Sequence, residues 1–252
     1  VLGNYKNKQF SQLPEEAQDK IRYSKIRTIT FKKESNSDLK FEIFERLNSG
    51  SVPLNTQELR NCIYRGPFNN LIKELAKEKD FLDLLGLTGP DKRMKDVELV
   101  LRFSAFYHNT YINYKPPVKT FLNGECERFL NISNQDAEQL REAFKNAVSI
   151  IKSLLGENAF KRYYKGNDDN KNGYWEKNRF NTSLFDILMD SFARADKNIV
   201  FNNLDAIREA YLNLMTNDLE FIEAIEIGTS EERKVMRRFE KWRATLNQIL
   251  HD

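Results

Sequence analysis

Between Ser133 and Gly156, eight apolar residues (Ala137, Leu140, Phe144, Ala147, Val148, Ile151, Leu154 and Leu155) follow the spacing that lays one stripe along an α-helix. A stripe of that length has to be covered by neighbouring elements of comparable length, which favours helix-on-helix packing. Ser133 with Asp136 reads as the cap that opens this helix, and Gly156 as the residue that ends it. Ten glycines and six prolines in 252 residues are too few for collagen-like, linker-dominated or turn-rich all-β chains. A 40% hydrophobic and 31% charged composition is enough for one large domain or two modest ones. The expected fold is mainly α.

The same periodicity runs through most of the chain. Asn55 with Glu58 forms a capping-box pattern for one helix, and Gly66-Pro67 opens another carrying Phe68, Leu71, Ile72 and Leu75. Val97 to Phe106 is apolar on most of its circumference and predicts a central helix, in which Arg102 needs a partner. Lys115-Pro116-Pro117 breaks the chain before a helix with Phe121, Leu122 and Phe129, and three further helices are expected at Leu184–Phe192, Leu204–Met215 and after Thr229 with Glu232. Upstream, Pro14 opens a short helix and Lys25–Phe31 is the one convincing strand. A helix from Ser37 carries Leu39, Ile43, Phe44 and Leu47 on one face, and Gly50 lies in the loop after it. Lys165–Asn178 reads as a polar, turn-rich interruption.

Several function classes fall away. Cys62 and Cys126 form neither a disulfide framework nor a C-x-x-C pair, and point to a reducing, cytoplasmic setting. No apolar run approaches the ~18 residues of a membrane span. His108 and His251 are the only histidines, too few for a multi-histidine metal site, and both read as structural or solvent residues. Neither common phosphate-binding glycine loop occurs. Asp168 to Gly173 matches the first half of an EF-hand loop, but Arg179 stands where the bidentate glutamate belongs. Asp186 and Asp190, one helical turn apart, suit a metal; such pairs are more often simply exposed.

A formal net charge of +3 does not mark a generic nucleic-acid coat, so any such surface must be local. Lys161, Arg162, Lys165, Trp175, Lys177 and Arg179, interleaved with Phe160, Tyr163, Tyr164, Tyr174 and Phe180, combine base-stacking faces with phosphate-holding cations. Asp168, Asp169 and Glu176 lower the charge there, and aromatic residues at helix ends commonly belong to a core. Lys20 to Lys33 holds six basic and no acidic residues, a phosphate-facing strip or, more commonly, an edge strand shielded by lysines. The last helix offers Arg233, Lys234, Arg237, Arg238, Lys241 and Arg243, or else a solvated amphipathic face.

Phe41-Glu42-Ile43-Phe44-Glu45-Arg46-Leu47-Asn48-Ser49-Gly50-Ser51-Val52-Pro53-Leu54, followed by Glu58-Leu59-Arg60, resembles the signature of the GmrSD restriction endonuclease N-terminal domain family. Arg65-Gly66-Pro67-Phe68-Asn69, Val97 to Phe103 and Arg179-Phe180-Asn181 extend the resemblance from about Leu13 to the end of the chain. In that family a ParB/sulfiredoxin-like α/β domain carrying an Asp-Gly-Gln-Gln-Arg motif precedes a helical domain. That motif is absent from this sequence. The resemblance therefore implies the end of an incomplete α/β domain over residues 1–54 (one helix, one strand, one helix) and a multi-helix domain over 55–252. A start at Val1 fits an upstream portion outside this chain, and a truncated or split family member fits as well.

By the same resemblance the chain is the helical part of a DNA-targeting phage-defence protein, with nucleoside triphosphate and a divalent metal used by the complete protein. Its expected partners are DNA, the missing α/β portion or a partner nuclease. The isolated chain is expected to be inactive, and a helical interaction module without chemistry is the alternative. Arg46, Asn48, Glu58 and Arg60 are the cleft candidates, an arginine fork and amide suiting a phosphate or carboxylate. For Glu58 capping is the better explanation, a left-handed cap competes as the role of Asn48, and helix carbonyls or Glu58 compete as partners of Arg46.

Overall fold

A computed structural model describes residues 5–26, 28, 42, 43, 46, 53–168 and 171–250. The chain divides into two compact units, Val1–Glu42 and Ile43–Asp252. In the first, a 3-10 turn at Phe10–Gln12 precedes α1 (Glu15–Arg22). Pro14 opens α1 as expected; Glu15 and Glu16 lie in its first turn and Lys20 and Arg22 in its last, matching the helix dipole. Of the expected strand Lys25–Phe31, Lys25, Ile26 and Thr28 are not in a strand, and the other residues lie outside the described set. So do Lys32 and Lys33 of the basic strip, and most of the helix expected from Ser37, of which Glu42, Ile43 and Arg46 are described and helical.

The second unit is a helical assembly: α2 (Thr56–Ile63), α3 (Pro67–Leu75), α4 (Lys79–Leu85), α5 (Lys95–Asn109), α6 (Val118–Arg128), α7 (Asn134–Leu155), α8 (Thr182–Ala193), α9 (Lys197–Asn202), α10 (Leu204–Asn217), α11 (Leu219–Glu226) and α12 (Glu232–Leu250). Between α7 and α8 an antiparallel ribbon joins β1 (Tyr163–Tyr164) to β2 (Tyr174–Trp175), the only strands among the described residues. The mainly α expectation holds, with β1 just before and β2 within the stretch expected to be a polar interruption. No described helix is long and apolar enough to cross a membrane.

Caps set most of the boundaries. Asn55 Oδ1 accepts from the amides of Gln57 and Glu58 while Glu58 Oε2 accepts from the amide of Asn55 at 2.6 Å, the capping box read from the sequence. Ser133 Oγ accepts from the Asp136 amide at 3.1 Å, and Gly156 ends α7 with a φ of +52°. Gly66 allows a close approach: a Cβ there would lie 2.5 Å from the carbonyl oxygen of Leu130. Thr229 does not cap α12, which begins at Glu232; it sits in the preceding turn, and its carbonyl accepts from Arg238 Nη1 at 2.6 Å.

Helix α8 lies at the centre, against α5, α7, α11 and α12, with ten of its twelve residues buried. Helix α5 shares that position, as its wide apolar face predicts. Phe81, Phe103 and Phe144 meet edge to face beside them, with ring centroids 5.1 and 5.4 Å apart. Helix α8 also carries Asp186 and Asp190 inward, contrary to the expected exposed pair: the apolar residues on every side of them leave no solvent-facing stripe.

Both carboxylates of α8 are met by arginine. Arg102 of α5 donates to Asp186 through Nε at 3.0 Å and Nη2 at 2.6 Å, and Arg238 of α12 donates through Nη2 at 3.1 Å. Arg243 of α12 reaches Asp190 at 2.6 Å. Burial disfavours the Arg102 cation, but Asp186 outweighs it and holds the guanidinium above its usual pKa. For Arg238 burial prevails, and for Asp190 burial raises the carboxyl against the pull of Arg243. Replacing Asp186 by Asn leaves two buried guanidiniums facing a neutral amide. We expect Asp186→Asn to lose about 3–5 kcal/mol in urea unfolding. Asp205→Asn, at a 98% exposed carboxylate paired with Arg208, should change stability by under about 1 kcal/mol.

Candidate functional site

Two places carry the residues expected to act. The first is the corner built by α2. Its capping box fixes Glu58, whose other oxygen pairs with Arg93 Nε at 3.0 Å. Arg93 clasps the same corner from the loop before α5, donating from Nη2 to the Pro53 carbonyl at 2.9 Å and accepting at its own carbonyl from Asn55 Nδ2 at 2.6 Å. One helical position beyond Leu59, Arg60 turns inward and is 2% exposed. Its Nε donates to Asn123 Oδ1 at 2.9 Å, and its Nη1 to Gln57 Oε1 at 3.1 Å and Glu98 Oε2 at 3.0 Å. Burial lowers its pKa and Glu98 opposes that shift. Arg60 thus joins α2 to α5 and α6.

Glu58 and Arg60 share a helix but serve different partners, a cap and a buried network. Arg46 is exposed on its helical turn, and Asn48 lies outside the described residues. Other residues that carry the resemblance are architectural too. Asn69 Nδ2 donates to Asn61 Oδ1 at 2.9 Å. Asn181 caps α8 through Ser183 and Leu184 and donates to the Ile225 carbonyl at 3.0 Å.

The second place is the ribbon. Tyr163 pairs with Trp175 and Tyr164 with Tyr174, so each face carries one aromatic pair. Tyr164 and Tyr174 stack at 5.3 Å, and Tyr163 and Trp175 meet edge to face at 5.1 Å. The ribbon is braced at both ends. Tyr163 Oη donates to the Asn172 carbonyl at 2.6 Å, over Gly173, whose φ of +80° and close packing against Tyr163 exclude a side chain. At the base, the Arg162 guanidinium lies 4.9 Å from the centre of the Tyr164 ring and pairs through Nε with Glu226 at 2.7 Å. Only 4% exposed, Arg162 is therefore a support of the ribbon and not a phosphate ligand on its surface. Lys165, Lys177 and Arg179 are exposed, while Lys161 and Trp175 are half-buried. Lys165 donates to Asn217 Oδ1 at 3.3 Å, and Arg179 pairs with Glu176 at 3.3 Å. Lys171, a cation outside the expected set, is exposed in the loop between the strands; Asp169 and Asn170 lie outside the described residues.

The remaining candidates are structural. His108 Nδ1 and Ser104 Oγ both lie 2.6 Å from the same oxygen of buried Glu125, and the imidazole stacks on Phe129 at 4.1 Å. A nucleophile relay needs serine and carboxylate on opposite ring nitrogens, so this cluster is a packing element. His251 lies outside the described residues. Burial pushes the Cys126 thiol up to about 12, far from a reactive thiolate. Among the described residues no group of three or more His, Cys, Asp or Glu is placed to hold a metal ion.

Arg233 of α12 is exposed, and the other basic candidates of that helix pair with acids. Lys234 pairs with Glu223, Arg237 with Glu220 at 2.8 Å, and Lys241 with Asp218 at 2.8 Å and Glu220 at 2.9 Å. These pairs join α12 to α11, and they disfavour α12 as a phosphate-facing surface. Comparison with protein-family models, with curated proteins and with solved structures finds no match to this chain.

Burial works against ionisation of Asp218, but Lys241 and the Phe221 amide outweigh it and hold the carboxyl below 3.8. Its contribution to stability is complete above 3.8 and is lost as pH falls through the folded-state value. We expect Lys241→Ala to lower the melting temperature at pH 6 by an amount corresponding to about 1 kcal/mol or less. The difference should close as pH drops well below 3.8, in thermal melts followed by circular dichroism.

Proposed function

We propose that this chain is the helical, non-catalytic part of a DNA-targeting defence protein of the kind it resembles, the GmrSD restriction type. The observation that carries this reading is what the resembling residues do. Glu58, Arg60, Glu98, Arg102 and Asn181 each hold one helix to another or close a helix end. Residues with framework duties are the ones that a shared helical architecture requires. On this reading, Arg46 and Asn48 are the residues this chain contributes to a cleft with an upstream α/β domain. The Asp-Gly-Gln-Gln-Arg motif of that domain supplies the remaining chemistry, together with nucleoside triphosphate and a divalent metal. DNA and the α/β portion or a partner nuclease are then the partners.

The test is turnover with and without that motif. We expect the chain alone to hydrolyse no nucleotide and cleave no DNA. A protein in which an α/β domain bearing the motif precedes this chain should do both, and Arg46→Ala in it should lower the rate at least about tenfold. Turnover by the chain alone, or an Arg46→Ala protein as active as its parent, contradicts the proposal.

A further inference from the structure

Most described aromatic side chains in the helical unit are core residues, Phe81, Phe103, Phe144, Phe185, Phe239 and Trp242 among them, and among the described residues Phe201 is the exposed exception outside the ribbon and Phe180. The ribbon departs from this. None of Tyr163, Tyr164, Tyr174 and Trp175 is buried, Tyr174 is 38% exposed, and Phe180 beyond it is 37% exposed. A two-stranded ribbon usually places one face against a core; here both faces keep aromatic surface in contact with solvent.

Charge is concentrated at the same place. Lys161 to Phe180 contains six basic and three acidic residues, an excess equal to the +3 of the whole chain. Arg162 is taken by Glu226 below the ribbon, and Glu176 is shared with Arg179. Exposed Asp168 offsets part of the excess, and Lys165, Lys171 and Lys177 are exposed around the aromatic pairs. The braces at Gly173, Asn172 and Arg162 hold this surface in shape before any ligand arrives, which lowers the ordering cost of binding.

We propose that the ribbon and its flanking lysines form a contact surface for single-stranded DNA, an inference that rests on the DNA-targeting reading above. Unpaired bases expose the flat faces that Tyr174 and its neighbours stack against, whereas a duplex keeps those faces inside its own stack. The lysines meet the phosphates between the bases. The two-residue strands of the ribbon are short for reading a major groove, which favours the single strand further.

The two tryptophans provide a built-in probe, since Trp175 is half-buried on the ribbon and Trp242 is fully buried in the core. The full chain is titrated with fluorescein-labelled oligothymidylate of about 15 nucleotides, and separately with a duplex of that length. Anisotropy and tryptophan emission are both read at several salt concentrations. We expect salt-dependent binding of the single strand with quenching that disappears in Trp175→Phe. Tyr174→Ala should weaken binding about tenfold. Lys171→Gln with Lys177→Gln should reduce the slope of log affinity against log salt by about 1.4. All of these positions are outside the core, and circular dichroism melts verify that the variants fold.

Each other outcome overturns a defined part. Binding that leaves Trp175 emission unmoved and is the same in every variant places DNA elsewhere and refutes the ribbon, while the DNA-targeting reading stands. Preference for duplex refutes the single-strand assignment. Absence of binding to either form at low salt refutes the ribbon and also DNA contact by this chain.

Discussion

The buried charge at Asp186 is the constraint on which the rest of the helical unit depends. A carboxylate inside a helix surrounded on every side cannot remain ionised without donors, because the low dielectric around it offers no substitute for water. Arg102 supplies a two-point clamp from α5, and Arg238 a third contact from α12. Those contacts fix how α5 and α12 lie along α8, since the planar guanidinium fork tolerates little sliding. Asp190 and Arg243 repeat the device one turn further along α8. The apolar surface of α7, α8 and α10 supplies the driving force, and the charge pairs restrict it to one register.

The α2 corner uses the same economy of means. Arg60 is buried among Gln57, Glu98 and Asn123, so the polar end of a resembling motif becomes a joint between α2, α5 and α6. Glu58 closes the helix start and holds Arg93. Glu58 and Arg60, two of the residues suited to a ligand, are therefore occupied by the protein itself. The exposed ribbon has the opposite character, with aromatic and basic side chains that the fold leaves in solvent.

Local signals in the sequence translated well into structure, and distant pairings did not. The capping box of Asn55 and Glu58, the Ser133 cap, the Pro14 start and the Gly156 stop are all interactions within a few residues, so their spacing alone encodes them. That Arg102 needs a partner was readable from its apolar surroundings. Its partner Asp186 stands 84 residues away, and nothing local identifies it. Helices α4, α9 and α11 escaped notice because they have only 7, 6 and 8 residues, too few for a periodicity to show. The ribbon has a local signal of its own: Asn172-Gly173 between aromatic pairs is a turn dipeptide between strand formers. For the cleft candidates only Glu58 and Arg60 have a full structural setting, with Arg46 exposed and Asn48 outside the described residues.

If Asp186 is held for geometry and not for net electrostatic gain, its whole cluster can be exchanged for apolar side chains of similar volume. The most direct measurement is urea unfolding of the triple variant Arg102→Met, Asp186→Leu, Arg238→Met beside Asp186→Asn. The charge tie predicts that the triple variant unfolds cooperatively and regains most of the stability lost by the single one, because no unpaired charge is left inside. A triple variant no more stable than Asp186→Asn, or an Asp186→Asn protein as stable as the wild type, would contradict it.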